Sequence, residues 1–98
     1  MVSGVAKRRS KLELYLEVLR AINKGVNKPT NIMYKCNLSW MNLKEILNSL
    51  LKQNLISVIE ENGRRVYGLT DRGRDFLEYL SRAQMLLVSG GEKRRKLM

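Results

Sequence analysis

Histidine is missing altogether, cysteine and proline occur once each, and the aromatic residues are one Phe, one Trp and four Tyr. Each scarcity removes a class of chemistry. Without histidine, and with Cys36 alone, the chain has no ligand set for a structural zinc and no imidazole for acid–base or nucleophilic work. A single thiol also excludes an intrachain disulfide, which suits an intracellular protein whose Cys36 is a small buried hydrophobe. There is no Gly-rich phosphate loop and no cluster of carboxylates, so neither an enzyme, a metal nor a cofactor is expected. No apolar run approaches the roughly 18 residues that span a bilayer, and the first residues lack the apolar stretch of a signal peptide. The expectation is a soluble, cytoplasmic protein.

What is abundant is positive charge. Nineteen Lys and Arg stand against nine Asp and Glu, a formal net charge of +10 that favours polyanionic partners, nucleic acid ahead of anionic membrane. Much of it sits at the ends. Lys7, Arg8, Arg9 and Lys11 open the chain, and Lys93, Arg94, Arg95 and Lys96 close it against Glu92. Residues 1–9 and 89–98 therefore read as basic tails, which serve either phosphate binding or solubility. The 98 residues are 44% hydrophobic and 29% charged, enough for one folded domain and too few for two.

Ser10 followed by Glu13 is a capping-box signal for a helix from about Lys11 to Asn23, ended by Gly25. Its polar residues Glu13, Glu17, Arg20 and Lys24 fill a narrow sector. The wide apolar arc that remains implies a second apolar neighbour. A short helix from Lys28 to about Tyr34 follows, with Asn27 as its cap and Pro29 in its first turn. Asn37 suits a left-handed turn, and Ser39 caps a third helix over roughly Trp40 to Gln53. Leu43, Ile46, Leu47, Leu50 and Leu51 face inward on it, leaving Met41, Lys44, Asn48 and Lys52 outside.

From Leu55 the residues become β-branched, and Asn62-Gly63 between two such runs predicts a two-residue hairpin. That loop sets Glu61 opposite Arg64, Glu60 opposite Arg65, Ile59 opposite Val66 and Val58 opposite Tyr67. Thr70 then caps a last helix from Asp71 to near Val88, where Gly90-Gly91 releases the tail. Phe76, Leu80, Ala83 and Leu87 form a short heptad stripe along it. The fold class is thus mainly α with a small β-hairpin, an α+β arrangement. It divides into a winged helix-turn-helix at residues 10–70 and a dimerisation helix at 71–88.

The order of elements carries a resemblance, clearest in Pro29-Thr30-Asn31-Ile32-Met33, Leu38-Ser39-Trp40, Leu50-Leu51-Lys52-Gln53-Asn54-Leu55-Ile56 and Tyr67-Gly68-Leu69-Thr70-Asp71-Arg72-Gly73. Through these stretches the chain resembles the small archaeal winged-helix DNA-binding proteins whose C-terminal helices pair as an antiparallel coiled coil. The resemblance implies duplex DNA binding, with the third helix in the major groove and the wing on the backbone or minor groove. The final helix is short for a long coiled-coil rod, which leaves the dimer geometry open.

Physical chemistry gives the candidate residues independently. Asn pairs bidentately with adenine, and Lys reaches guanine or phosphate, so Asn42, Lys44, Asn48 and Lys52 are candidate groove contacts, beside Ser39 at the helix start. A plain solvated face is the alternative for each. Glu45 either joins that face, accepting from cytosine, or pairs with a basic neighbour. Trp40 is equally a core anchor and a DNA-facing aromatic, and Met41 either touches a thymine methyl or is ordinary surface. Lys28, Asn31 and Lys35 can clamp phosphates, while Arg64 and Arg65 at the wing tip meet DNA or their cross-strand glutamates.

Homodimerisation is expected from apolar surface that one small core cannot cover, namely Leu14, Val18, Phe76, Leu80, Ala83 and Leu87. The functional expectation is a homodimeric, nucleoid-associated transcriptional regulator reading double-stranded DNA. Two alternatives remain open, a sequence-independent architectural protein of chromatin and a winged-helix protein-interaction module. RNA binding is disfavoured because a single hairpin offers no aromatic sheet platform for single strands.

Overall fold

The computed structural model describes the backbone of residues 9–97 and the side chains of residues 9–87. Lys7 and Arg8, and the side chains of the basic cluster at 93–96, lie outside what it describes. The elements run α1 (Lys11–Asn23), α2 (Pro29–Cys36), α3 (Trp40–Lys52), β1 (Ile56–Glu61), β2 (Arg64–Leu69) and α4 (Asp71–Leu97).

Local signals place nearly every boundary. Ser10 and Glu13 form the full capping box, with the Ser10 hydroxyl accepting from the Glu13 N–H and the Glu13 carboxylate accepting from the Ser10 N–H. Gly25 takes φ +98° just beyond α1, and Asn37 takes the left-handed conformation that turns α2 into α3. The cap of α2 differs from expectation. Lys28, not Asn27, is its N-cap and makes no side-chain cap bond, because the Asn27 backbone is committed elsewhere: its carbonyl accepts from the Tyr67 N–H at 2.9 Å. That bond docks the hairpin onto the loop between α1 and α2. The helix also runs two residues beyond Tyr34, to Cys36.

Antiparallel β1 and β2 pair in the predicted register, from Ile56 opposite Leu69 to Glu61 opposite Arg64. Asn62 and Gly63 both have positive φ, the requirement of the tight two-residue turn. Ile56 and Tyr67 join the base of the wing to the core and Val66 is buried, whereas Val58 and Ile59 are exposed.

The core gathers around α1, which packs against α2, α3, β2 and α4. Four neighbours inside one subunit account for the wide apolar arc of this helix. Val18 is accordingly fully buried at 0% exposure and belongs to the subunit's own core, which corrects its assignment to a dimer contact. Leu14 is half-buried and packs against the same core. Tyr15 ties α1 to α3 through a 2.6 Å hydrogen bond between its hydroxyl and that of Ser49.

The last helix is longer than expected, continuing through Gly90 and Gly91 to Leu97. Glycine costs a helix interior about 1 kcal/mol, and it ends a helix only where it adopts the left-handed cap; the residues after Gly91 are strong helix formers. The helix thus passes the boundary expected near Val88.

Candidate nucleic-acid interface

The face of α3 turned away from the core carries Met41, Asn42, Lys44, Glu45, Asn48 and Lys52, all exposed, while Leu43, Ile46, Leu47 and Leu50 are buried beneath them. Ser39 is exposed but its hydroxyl is engaged, accepting from the Asn42 N–H at 3.1 Å as the N-cap of the helix. Trp40 is 52% exposed, between its two readings of core anchor and open aromatic. Glu45 shares a shallow depression with Asn48, Ser49 and Lys52, so an acid sits among the cations and amides of this face.

Lys28, Asn31 and Lys35 are exposed along one side of α2. Tyr34 shares that side at 74% exposure, a residue that sequence reasoning passed over although its spacing from Thr30 and Asn31 puts it on the same stripe. At the wing, Arg64 and Arg65 are exposed opposite Glu61 and Glu60. Among the described residues the ion pairs are Arg9–Glu17, Arg74–Asp71 and Arg82–Glu78. The wing arginines thus make no ion pair with their cross-strand glutamates, and Lys28, Lys35, Lys44 and Lys52 make none either. Their charge is available to a polyanion.

Arg9 is not a tail residue. Its guanidinium bonds Glu17 on α1 and donates to the carbonyl of Cys36 at 3.0 Å and that of Asn37 at 3.4 Å, capping the end of α2 next to the helix-turn-helix turn. Burial pushes the Cys36 thiol above its ordinary pKa, and the charge of Glu17 adds to this, with Arg9 and Lys35 partly offsetting it.

The residues of the expected α4 stripe differ in exposure. Phe76 and Leu80 are partly buried against the subunit's own core, whereas Ala83 and Leu87 are exposed. Tyr79 and Leu86, absent from the prediction, are 71% and 69% exposed. The exposed apolar residues Tyr79, Ala83 and Leu86 follow a four-three spacing, with Leu87 beside them. Leu12 of α1, 56% exposed, borders them across a groove lined also by Leu16, Leu80, Ala83 and Leu87.

Three helices, a hairpin and a following helix, with a basic third helix facing outward, define a winged helix-turn-helix. Residues 8–87 match that family, and the chain belongs to it. The family is one of DNA-binding modules, not of enzymes.

The chain is 30% identical over 80 residues to the protein MJ0290 of Methanocaldococcus jannaschii, covering 82% of this chain but only 36% of that relative's length. Its fold is that of Sso10a-2, a DNA-binding protein from Sulfolobus solfataricus, at 23% identity and a TM-score of 0.65, over 92% of this chain and 97% of the other. It is similarly like Lactococcus lactis ZitR, solved in complex with DNA, at 16% identity and a TM-score of 0.64, over 94% of this chain and 66% of that one. Among the described residues no helix is long and apolar enough to cross a membrane.

Proposed function

We propose that the protein is a homodimeric, duplex-DNA-binding transcriptional regulator that lays α3 in the major groove and its wing along the backbone or minor groove. The observation that carries this reading is the set of cations on one structural module that make no ion pair among the described residues: Lys44 and Lys52 on α3, Lys28 and Lys35 on α2, and Arg64 and Arg65 on the wing. A helix fits the major groove, where Asn42 and Asn48 have adenine edges to pair with and the lysines have guanine or phosphate. Lys28, Asn31 and Lys35 then hold phosphates, contacts that position the helix without reading sequence. Such a protein works in the cytoplasm, on the nucleoid.

The likeness to Sso10a-2 and to DNA-bound ZitR supports the reading at the level of fold. Dimerisation is supported by the exposed seam of Tyr79, Ala83 and Leu86 on α4, with Leu87 beside it, which a twofold partner would cover. Two reading heads on one dimer suit a pseudo-palindromic site whose half-sites lie about one helical turn, or a multiple of it, apart.

The test is a duplex titration at two salt concentrations, with a random and a selected sequence, using the wild type and a Lys44→Ala, Arg64→Ala double variant. Counterion release makes affinity fall steeply with salt, with a slope of about −0.9 per phosphate neutralised, so each lost contact lowers the slope by about one. A regulator loses about 1–3 kcal/mol for each wrong base pair. Unchanged affinity and slope in the double variant would remove α3 and the wing from the interface.

A further inference from the structure

The first turn of α3 is the least polar part of the face just described. Met41 is 71% exposed and Trp40 52%, and Tyr34, in the last turn of α2, is 74%. Single exposed apolar residues call for no explanation. Trp40 and Met41, however, open α3 just beyond the turn at Asn37, at the end of the helix that, in helix-turn-helix docking, supplies the contacts to base edges, and Tyr34 precedes that turn. Beyond Met41 the face becomes polar with Lys44, Asn48 and Lys52.

The chemistry of the groove narrows what an exposed methionine at that end can meet. Major-groove edges present donors and acceptors of hydrogen bonds, and the C5-methyl of thymine is the apolar group among them. A thioether donates nothing and accepts weakly. Pressed against a G·C edge, Met41 would strip water from polar atoms and return no hydrogen bond, a net cost. Pressed against a thymine methyl it buries apolar surface on both sides, a gain. A protein occupant fits less well. Covering Met41 also covers Lys44, and burying that ammonium without a counter-charge is unfavourable, whereas a duplex brings phosphates with its methyl groups.

We propose that Met41 is a specificity-determining residue that reads thymine C5-methyl groups in the major groove, with Trp40 completing the apolar contact. The preferred duplex then carries thymine under the first turn of α3. This rests on the reading of α3 as the groove-entering helix.

Fluorescence anisotropy with alternating poly(dA-dT) and poly(dA-dU) tests it, since the two duplexes differ by the methyl group alone. The full chain binds the thymine polymer about fourfold more tightly, the value of one buried methyl-sized group. Met41→Ala, an exposed substitution, loses most of that preference, and Met41→Leu restores it. Equal wild-type affinity for the two polymers, or a preference undiminished in Met41→Ala, overturns the assignment while leaving duplex binding intact. Wild-type binding to neither polymer, nor to random duplex at low salt, overturns the duplex reading and this inference with it.

Discussion

Gly73 lies so close to Leu55 that a Cβ placed on it would come within 1.9 Å of the Leu55 carbonyl oxygen and 2.9 Å of its carbonyl carbon. Two polar bonds fix that approach. Thr70 caps α4 by accepting from the Gly73 N–H at 2.9 Å and donates its hydroxyl proton to the Asn54 carbonyl at 2.7 Å. Arg72 adds a bond from its Nε to the Gln53 carbonyl at 3.1 Å. The Leu69-Thr70-x-x-Gly73 phrase is thus a joint that seats the start of α4 on the end of α3. Gly73→Ala has backbone to displace, not a flexible side chain, and we expect a loss of at least about 2 kcal/mol in urea unfolding. A loss under 0.5 kcal/mol would show that the joint gives way easily.

Capping and turn chemistry made most of this fold legible in the sequence, because Ser10, Glu13, Ser39, Asn62, Gly63 and Thr70 act on partners a few residues away. The exposed α3 face was legible for the same reason, since helical spacing alone separates Lys44 and Lys52 from Leu43 and Leu47. What escaped depends on distant packing. Val18 joined the core because α1 has four neighbours, a number that periodicity does not encode. The exposure of Tyr79 and Leu86 escaped because the rotation of a helix about its axis is set by what it packs on, here through Leu77 and Gly73. Arg9 finds Cys36 across a separation of 27 residues, beyond the reach of any local signal.

Arg9 closes the corner between α1 and the helix-turn-helix, so its removal should loosen both. Arg9→Ala deletes a partly exposed ion pair and a charge-assisted bond to the α2 carbonyls, a combined cost of about 1–2 kcal/mol. Arg9→Lys, lacking the planar fork, recovers only part of it. Thermal unfolding measures the loss. The rate at which a thiol reagent labels Cys36 reports the local opening, and an unchanged rate in Arg9→Ala would mean that the corner is held by packing alone.

Cys36 ties stability to alkaline pH. Its thiol titrates higher in the folded protein than in the unfolded chain, chiefly through burial and then through Glu17. Above the ordinary thiol pKa of about 8.5 the unfolded chain therefore releases a proton that the native state still holds. Ionisation then favours the unfolded state, and stability falls as pH rises through that window. Measured against Cys36→Ala, whose packing defect is independent of pH, the wild type should lose part of its advantage between neutral pH and about pH 10. Parallel stability curves for the two proteins would rule out any contribution from the thiol.

The α4 seam predicts a stability that depends on protein concentration. Tyr79, Ala83 and Leu86 contribute little to the subunit's own core, so a partner that covers them stabilises the fold by mass action, and the melting temperature rises with concentration. Leu86→Lys places a charge in the seam without touching the core. It should yield monomers in sedimentation equilibrium and abolish the concentration dependence. Leu77→Ala, at an 8% exposed position on the opposite side of α4, makes the contrasting control. It should cost about 2–5 kcal/mol as a core cavity while the folded protein still dimerises. Monomeric wild type at concentrations where it binds duplex would instead mean that one reading head suffices, and the half-site spacing argued from twofold symmetry would not apply.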